Sequence, residues 1–432
     1  MPETDEIAHV SNEMPESNRM VTSSIKEKPC HVSPSLLKSS IFRVPQKLRW
    51  RNENVYDLNR VSIGPFHNGT KTLAPMEKMK MWYLGSLLQR FTVPPEEALE
   101  HIVESIRSLQ RSARECYADP FNLEDETFIE MLVVDGCFLI ELDDPMFNTS
   151  WMHENLYHDL ILLENQIPWF ILRRLFELSE LTVSVDEREP DFLVKLVLKF
   201  FETMMLMTVP AEYRPNGRGI KHILHLLCSC LLSNSCNRRP ENTRLELFPP
   251  VTGLLQSGVK FKKGTPDDIL NIKFRKGEIE IPPIKIQGNS ESLFQNLIAY
   301  EQCDRHCMDQ FTSYGVFLDC LIKSSKDADV LCDEEIVVQA LSTEDISLLF
   351  NRLYNDTLIS EFYYGGIAHD INEYYRSRWP RWRATLKRDY FNNPWSFSSF
   401  IAAILVLVFT FAQTLFYYSP LCLPFMQVII LL

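Results

Sequence analysis

Apolar positions recur at helical spacing through most of this chain and alternate with polar ones in only one short region. Pro75 stands at a helix start, and Met76, Met79, Lys80, Tyr83, Leu84, Leu87 and Leu88 then fall largely on one stripe. Pro94-Pro95-Glu96-Glu97 opens a second helix, with its carboxylates in the first turn where they complement the helix dipole; it runs to about Cys116. The stretch Asp125 to Leu142 is apolar all round its centre, with Asp135-Gly136 inside it, and predicts a buried helix. Leu156 to Leu178 also has a helical pattern, but Pro168 removes a backbone hydrogen bond, so a kink or break is expected near Gln166. Helices over about Asp191–Met207 and Ile220–Leu232 complete an all-helical first half.

From Phe248 the pattern shifts. A short helix ending at Gly258 leads to Val259–Lys262, then Ile269–Phe274, a Lys276-Gly277 turn and Glu278–Ile286, which together predict a small antiparallel meander. Helical spacing returns over Ser290–Cys303, Phe311–Ser324, Ser342–Leu353 and Ile367–Tyr390.

The last apolar run differs from all of these. Phe397 to Tyr418 contains no charged residue, and none follows before Leu432. About 20 residues rising roughly 1.5 Å each cross a hydrocarbon core about 30 Å thick, so this run predicts one membrane-spanning helix; the alternative is a buried core helix. Trp395 before it and Tyr417-Tyr418 at its end suit the two membrane interfaces. Arg376, Arg378, Arg381, Arg383, Lys387 and Arg388 crowd just upstream, so the positive-inside rule keeps the N-terminal part in the cytosol. Trp379 and Trp382 are interleaved with these cations, a mixture that suits the headgroup layer as well as a topogenic signal.

Composition narrows the rest. With 45% hydrophobic and 23% charged residues, the chain is globular in type and able to bury a sizeable core. The polar, acidic residues 1–40 predict a disordered tail without the layout of a secretory signal. Residues 41–392 then form a mainly helical region: helical over 41–247, a meander at about 258–287, and helical again over 288–392. Residues 397–418 form the span, and 419–432 a short apolar tail. A net charge of −13 argues against nucleic acid as a partner. Eleven scattered cysteines do not resemble a small disulfide framework, so mostly reduced, buried thiols are expected.

Candidate chemistry rests on polar residues embedded in apolar helices. Asp135, Glu164, Asn165 and Gln166 qualify, with Glu77 and Glu301 as companions. Carboxylates among Asp135, Glu164 and Glu301 would act as acid and base if they converged on one open pocket. The bland alternative is that they cap broken helices and satisfy loop amides. Cys303 and Cys307 lie four apart with His306 between them, but no second close pair of structural-zinc spacing exists, and Cys228-Ser229-Cys230 is too tight. Cys137 in a buried helix reads as a small apolar residue, and His222 with His225 as a core or surface pair. No phosphate loop, nucleophile elbow or kinase set is present, and neither cofactor nor metal is expected.

Several stretches in order resemble one family: Val61-Ser62-Ile63-Gly64-Pro65 with His67 and Gly69, Met76-Glu77-Lys78 with Lys80, Cys116-Tyr117, and Val134-Asp135-Gly136-Cys137-Phe138. Leu163-Glu164-Asn165-Gln166-Ile167-Pro168, Gly258-Val259-Lys260-Phe261, Asn296 to Gln302, and Asp389-Tyr390-Phe391 with Asn393-Pro394-Trp395 continue it. The chain resembles the plant domain of unknown function 247 family from about Ile41 onward. That resemblance implies a plant membrane protein, mainly α-helical, with one C-terminal transmembrane helix; some relatives are implicated in pollen and stigma self-incompatibility. This chain departs from the family pattern at Leu58, where a proline is usual, and at His67-Asn68, where a double histidine is usual, so no role for paired histidines is expected. The expectation is a multi-helix domain with a small antiparallel meander and a single-pass C-terminal anchor in the plasma membrane or an endomembrane. It would serve recognition or signalling, with the lipid bilayer and proteins, copies of itself among them, as partners. The competing expectation is an uncharacterised hydrolase or transferase.

Overall fold

The structure, a computed structural model, describes residues 20, 23, 38–50, 52–179, 192–207, 219–232, 242–266, 268–353, 358–377 and 394–418. Nearly all of the expected N-terminal tail, the apolar tail 419–432, Trp379, Trp382 and every member of the basic cluster except Arg376 lie outside the described residues.

The first half is built round one helix. Helices α1 (Ala74–Leu88), α2 (Pro95–Glu115), α3 (Asp125–Ile140), α4 (Ser150–Leu160) and α5 (Trp169–Ser179) follow in order, then α6 (Phe192–Phe201) and α7 (Ile223–Leu231). α3 buries an unbroken run from Met131 to Ile140, because no side chain of that run but Asp135 carries charge. It packs against α1, α2 and α5. The break expected near Gln166 is a full gap between α4 and α5, from Ile161 to Pro168. Pro168 accounts for its end, since a proline suits the start of a helix and not its interior.

In the second half α8 (Val251–Gln256) leads to strands β1 (Lys260–Lys263), β2 (Lys273–Arg275), β3 (Glu278–Ile281) and β4 (Ile284–Ile286). After α9 (Ser290–Cys303), α10 (Gln310–Leu321) and α11 (Ser325–Asp333) come β5 (Val337–Gln339), α12 (Thr343–Leu353) and α13 (Gly365–Arg376). α9 packs on α10 and α12, and α12 also on α10 and α11.

The strands are paired differently from the antiparallel meander expected. Only β2 and β3 are antiparallel, joined by the Lys276-Gly277 turn; β1 lies parallel to β3 on its other edge, giving the order β1-β3-β2. The connection from Gly264 to Ile272 buries Ile269, Leu270 and Ile272 and carries the chain past the place where an antiparallel β2 would have turned back. The segment Glu278–Ile286 is two strands, since Pro282-Pro283 separates β3 from β4; a proline donates no ladder hydrogen bond. β4 pairs in parallel with β5, an element without a counterpart in the hydrophobic pattern.

Buried side chains from Ile41 to Ile371 form one continuous core across both halves. The last described helix, α14 (Pro394–Tyr418), stands apart in character: none of its window Ser398–Leu415 is buried, and Leu407, Phe409 and Phe411 are about two-thirds exposed. Among the described residues, this is the one helix long and apolar enough to cross a membrane.

Candidate functional site

Of the polar residues singled out in the sequence, all but Glu301 meet where two loops cross. One loop runs from Val55 to Gly69, the other from Ile161 to Pro168 after the end of α4, and α1, α3, α7 and α9 surround them. Asp159 accepts the amides of Asn59, Arg60 and Val61, each at 2.7 Å. Asn165 accepts the Ile63 amide at 2.6 Å and donates to the carbonyls of Val61 and Asp159. Gln166 donates to the Leu160 and Leu162 carbonyls and accepts the Leu224 amide, so one side chain closes the end of α4 and ties it to α7. Asn296 of α9 accepts the Leu163 amide and donates to the Val55 carbonyl. These carboxamides and carboxylates stand in for the helical bonds that the gap between α4 and α5 leaves unmade.

Asp135 reaches the same crossing from inside α3. Its carboxylate accepts the Gly64 amide at 2.8 Å and the Lys80 ammonium at 2.7 Å. Lys80, buried on α1, also donates to Glu77 at 2.7 Å and to the Ser62 carbonyl. Burial alone would lower the Lys80 pKa, but Asp135 and Glu77 outweigh it and hold the ammonium charged. Glu164 lies on the outer side. It accepts the Val44 amide at 2.7 Å, pairs with Arg49 at 2.9 Å, and has His67 Nε2 at 3.1 Å and Arg43 at 4.0 Å. Burial pushes this carboxyl up, but His67, the Val44 amide and Arg49 together hold it down at about 2.

Glu301 belongs to a different place. It accepts the amides of Phe311 and Thr312, both at 2.8 Å, and the Thr312 hydroxyl at 2.9 Å, so it caps the start of α10. Burial outweighs those donors and pushes its pKa up to about 8. It also lines a cleft of about 500 Å³ between the α9–α10 turn and residues 358–363, with Cys303, Asp304, Asp309 and Glu361 among the walls. Side chains strap the far wall in place: Gln302 bonds both backbone groups of Leu358, and Asp309 accepts the Ser360 amide at 2.7 Å. The three candidate carboxylates therefore have separate sets of partners, and of the three only Glu301 lines this cleft.

The remaining candidates are placed as follows. His222 presents Nε2 to the Ser40 carbonyl at 2.9 Å and accepts the His225 amide on Nδ1, an arrangement that needs a neutral ring. Burial lowers the two histidines to about 3 and about 4. Lys221 beside them pairs with Asp304, which also accepts the Tyr300 hydroxyl. Cys303 and Cys307 carry free thiols, and burial pushes both up to about 12, far from the thiolate a nucleophile or metal ligand requires. Cys137, fully buried, is raised to about 12 by the same cause. Among the described residues, no group of three histidines, cysteines or carboxylates is arranged to hold a metal ion.

Lys80, Asp159 and Asn296 carry as much of the crossing as the residues chosen from the sequence. Lys80 sat in plain view as a cation on an apolar stripe, three residues after Glu77. Asp159 and Asn296 gave no such signal, because their partners lie about 100 and more residues away.

The profile of a plant protein family of unknown function, DUF247, matches residues 41–409. Among curated proteins, UPF0481 protein At3g47200 of Arabidopsis thaliana is 26% identical over 413 residues, covering 87% of this chain and 85% of the relative. Putative UPF0481 protein At3g02645 of the same plant is 24% identical over 475 residues, covering 87% of this chain and 89% of the relative. No solved structure matches this chain.

Proposed function

The chain belongs to the DUF247 family of plant proteins, and from that premise we propose that it is a membrane-anchored, non-enzymatic recognition or signalling module. α14 is its single-pass anchor, the helical body faces the cytosol, and its partners are proteins, copies of itself among them. Its membrane is the plasma membrane or an endomembrane. The observation that carries this proposal is the contrast between the two ends of the polarity scale. None of the Ser398–Leu415 window of apolar α14 is buried, whereas the carboxylates of Asp135 and Glu164 are occupied in holding loops. An exposed apolar helix of this length is costly in water and stable in hydrocarbon, where its backbone bonds are satisfied internally. A role in self-incompatibility would place recognition between cells and turn the body outward, against the charge rule, so sidedness decides between the two forms of the proposal.

One observation favours the alternative of a hydrolase or transferase. Glu301, raised to about 8 on the wall of a cleft, has the protonation behaviour of a general acid. Its three donors, however, leave it engaged with α10.

Protease protection of sealed membrane vesicles from expressing plant cells, with tags at both ends, tests the anchored reading. Digestion of the N-terminal tag only when the cytosolic face is exposed supports a cytosolic body. Digestion only from the opposite face reverses the topology and favours recognition outside the cytosol, and recovery of the chain away from membranes removes the anchor.

A further inference from the structure

The sheet has one basic end, and the chain leaves the described body there. β2 turns into β3 through Lys276 and Gly277, both left-handed, with φ of 50° and 81°. The Gly277 carbonyl accepts the Lys260 amide at 2.9 Å, so β1 begins beside the turn that ends β2. Lys260, Arg275 and Lys276 are thereby gathered at one tip, all exposed. Glu278, opposite both Lys260 and Arg275 in register, is the one carboxylate of these strands at the tip, and it turns to Lys262 at 3.7 Å. Farther along the sheet Lys273 is matched by Glu280 at 3.5 Å and Lys263 by Glu335 at 2.8 Å. Among the described residues, no carboxylate lies within ion-pair distance of Lys260, Arg275 or Lys276. Lys276 holds its charge at a left-handed position that glycine or asparagine would occupy at lower cost.

α13 docks on this same tip. Tyr374 fills the space that a β-carbon on Gly277 would need, and its ring meets Phe274 edge-on at 5.8 Å. Two residues later α13 ends at Arg376, a fourth exposed cation, and α14 begins at Pro394. No other face of the described body is closer to α14 along the chain.

We propose that this tip, Lys260, Arg275 and Lys276 with Arg376, rests on the anionic headgroups of the bilayer and sets the orientation of the body. The proposal depends on the anchored, cytosol-facing reading above. A chain of net charge −13 is repelled as a whole by an anionic leaflet, so the face that approaches is the one where cations are uncompensated. Ammonium and guanidinium groups at such a tip pair with lipid phosphates and carboxylates within a Debye length of the surface.

The full chain is placed in nanodiscs of phosphatidylcholine alone or with phosphatidylserine, and its lysines are acylated by a water-soluble reagent and read by mass spectrometry. Lys260 and Lys276 are expected to react several-fold more slowly in the phosphatidylserine discs and to recover in high salt. Lys71, Lys78 and Lys326, exposed elsewhere, should be unchanged. Lys276→Gly, which relieves the turn while removing its charge, should lessen the protection of Lys260. Equal rates for Lys260 and Lys276 in the two lipids overturn the proposal, whether both are reactive or both covered. Retention of the chain in phosphatidylcholine discs after an alkaline wash reports on the anchor separately. Loss at that step removes the anchored reading and this proposal with it, whereas retention without lipid-dependent protection removes this proposal alone.

Discussion

Gly64 is where the backbone leaves least room. Its φ is 81°, and a β-carbon there would collide with the Gln166 carbonyl oxygen at the crossing of the two loops. Gly69 has nearly the same φ, 79°, but open space around it. Replacing either by alanine incurs the left-handed penalty of about 1 kcal/mol. At Gly64 the clash adds to it, since the obstacle is backbone held by its own hydrogen bonds. Gly64→Ala is therefore expected to cost about 3 kcal/mol and Gly69→Ala about 1, compared by urea unfolding of the two variants.

Single carboxyls also set the pH response. Glu164 is held at about 2 in the fold against an ordinary 4.5, so its stabilisation is complete above pH 4.5 and disappears as pH falls toward 2. That depression corresponds to roughly 3 kcal/mol. Glu301 has the opposite sign: raised to about 8, it contributes most below pH 4.5 and progressively less as pH rises to 8. Melting temperature followed against pH should show Glu164→Gln flattening the acid limb and Glu301→Gln flattening the decline toward pH 8. If Glu301 instead stays ionised on its three donors, its substitution would leave the neutral region unchanged.

Among the elements, α3 shows how a polar residue is admitted to an apolar helix. Asp135 is tolerated because Lys80 of α1 lies 2.7 Å away and the Gly64 amide completes its shell. Removing one partner leaves a buried charge unpaired, whereas removing both leaves a hydrophobic contact. Asp135→Ala is expected to cost roughly 3 to 5 kcal/mol, and the pair Lys80→Met with Asp135→Leu to recover most of that loss. A catalytic Asp135 would show the reverse, a folded single variant without activity. The α4–α5 gap follows the same logic. Pro168 makes the break legible, but its width comes from Asp159 and Asn165, which bond a distant loop, and from Gln166, which closes the end of α4 and reaches α7. Proline in the wrong place is a local fact, readable from one residue. Which loop amides Asp159 and Asn165 would meet depends on residues 98 to 102 positions away.

Across the whole molecule, the exposed apolar α14 contrasts with a body whose apolar side chains form one core. Arginine at the centre of a span raises the cost of insertion by about 2.5 to 3.5 kcal/mol for each substitution. Leu405→Arg combined with Phe409→Arg should therefore move the chain from alkaline-resistant membrane pellets to the soluble fraction. Unaltered pelleting of that double variant would mean that something other than α14 holds the chain to membranes.

Hydrophobic period, helix starts at Pro75 and Pro95, the break before Pro168 and the charge-free run at the C-terminal end were determined by the sequence itself. Each depends on neighbours within a turn or two, or on length against a fixed thickness. Pairing was decided by the tertiary structure. The parallel partnership of β1 with β3, the joining of β4 to β5, the Lys80–Asp135 pair and the separate fates of Asp135, Glu164 and Glu301 all bring together residues that no local rule relates. A carboxylate's character is set by what surrounds it once water is excluded. Glu164, beside Arg49 and His67, and Glu301, given only neutral donors, are the same residue type and end on opposite sides of their ordinary pKa for that reason.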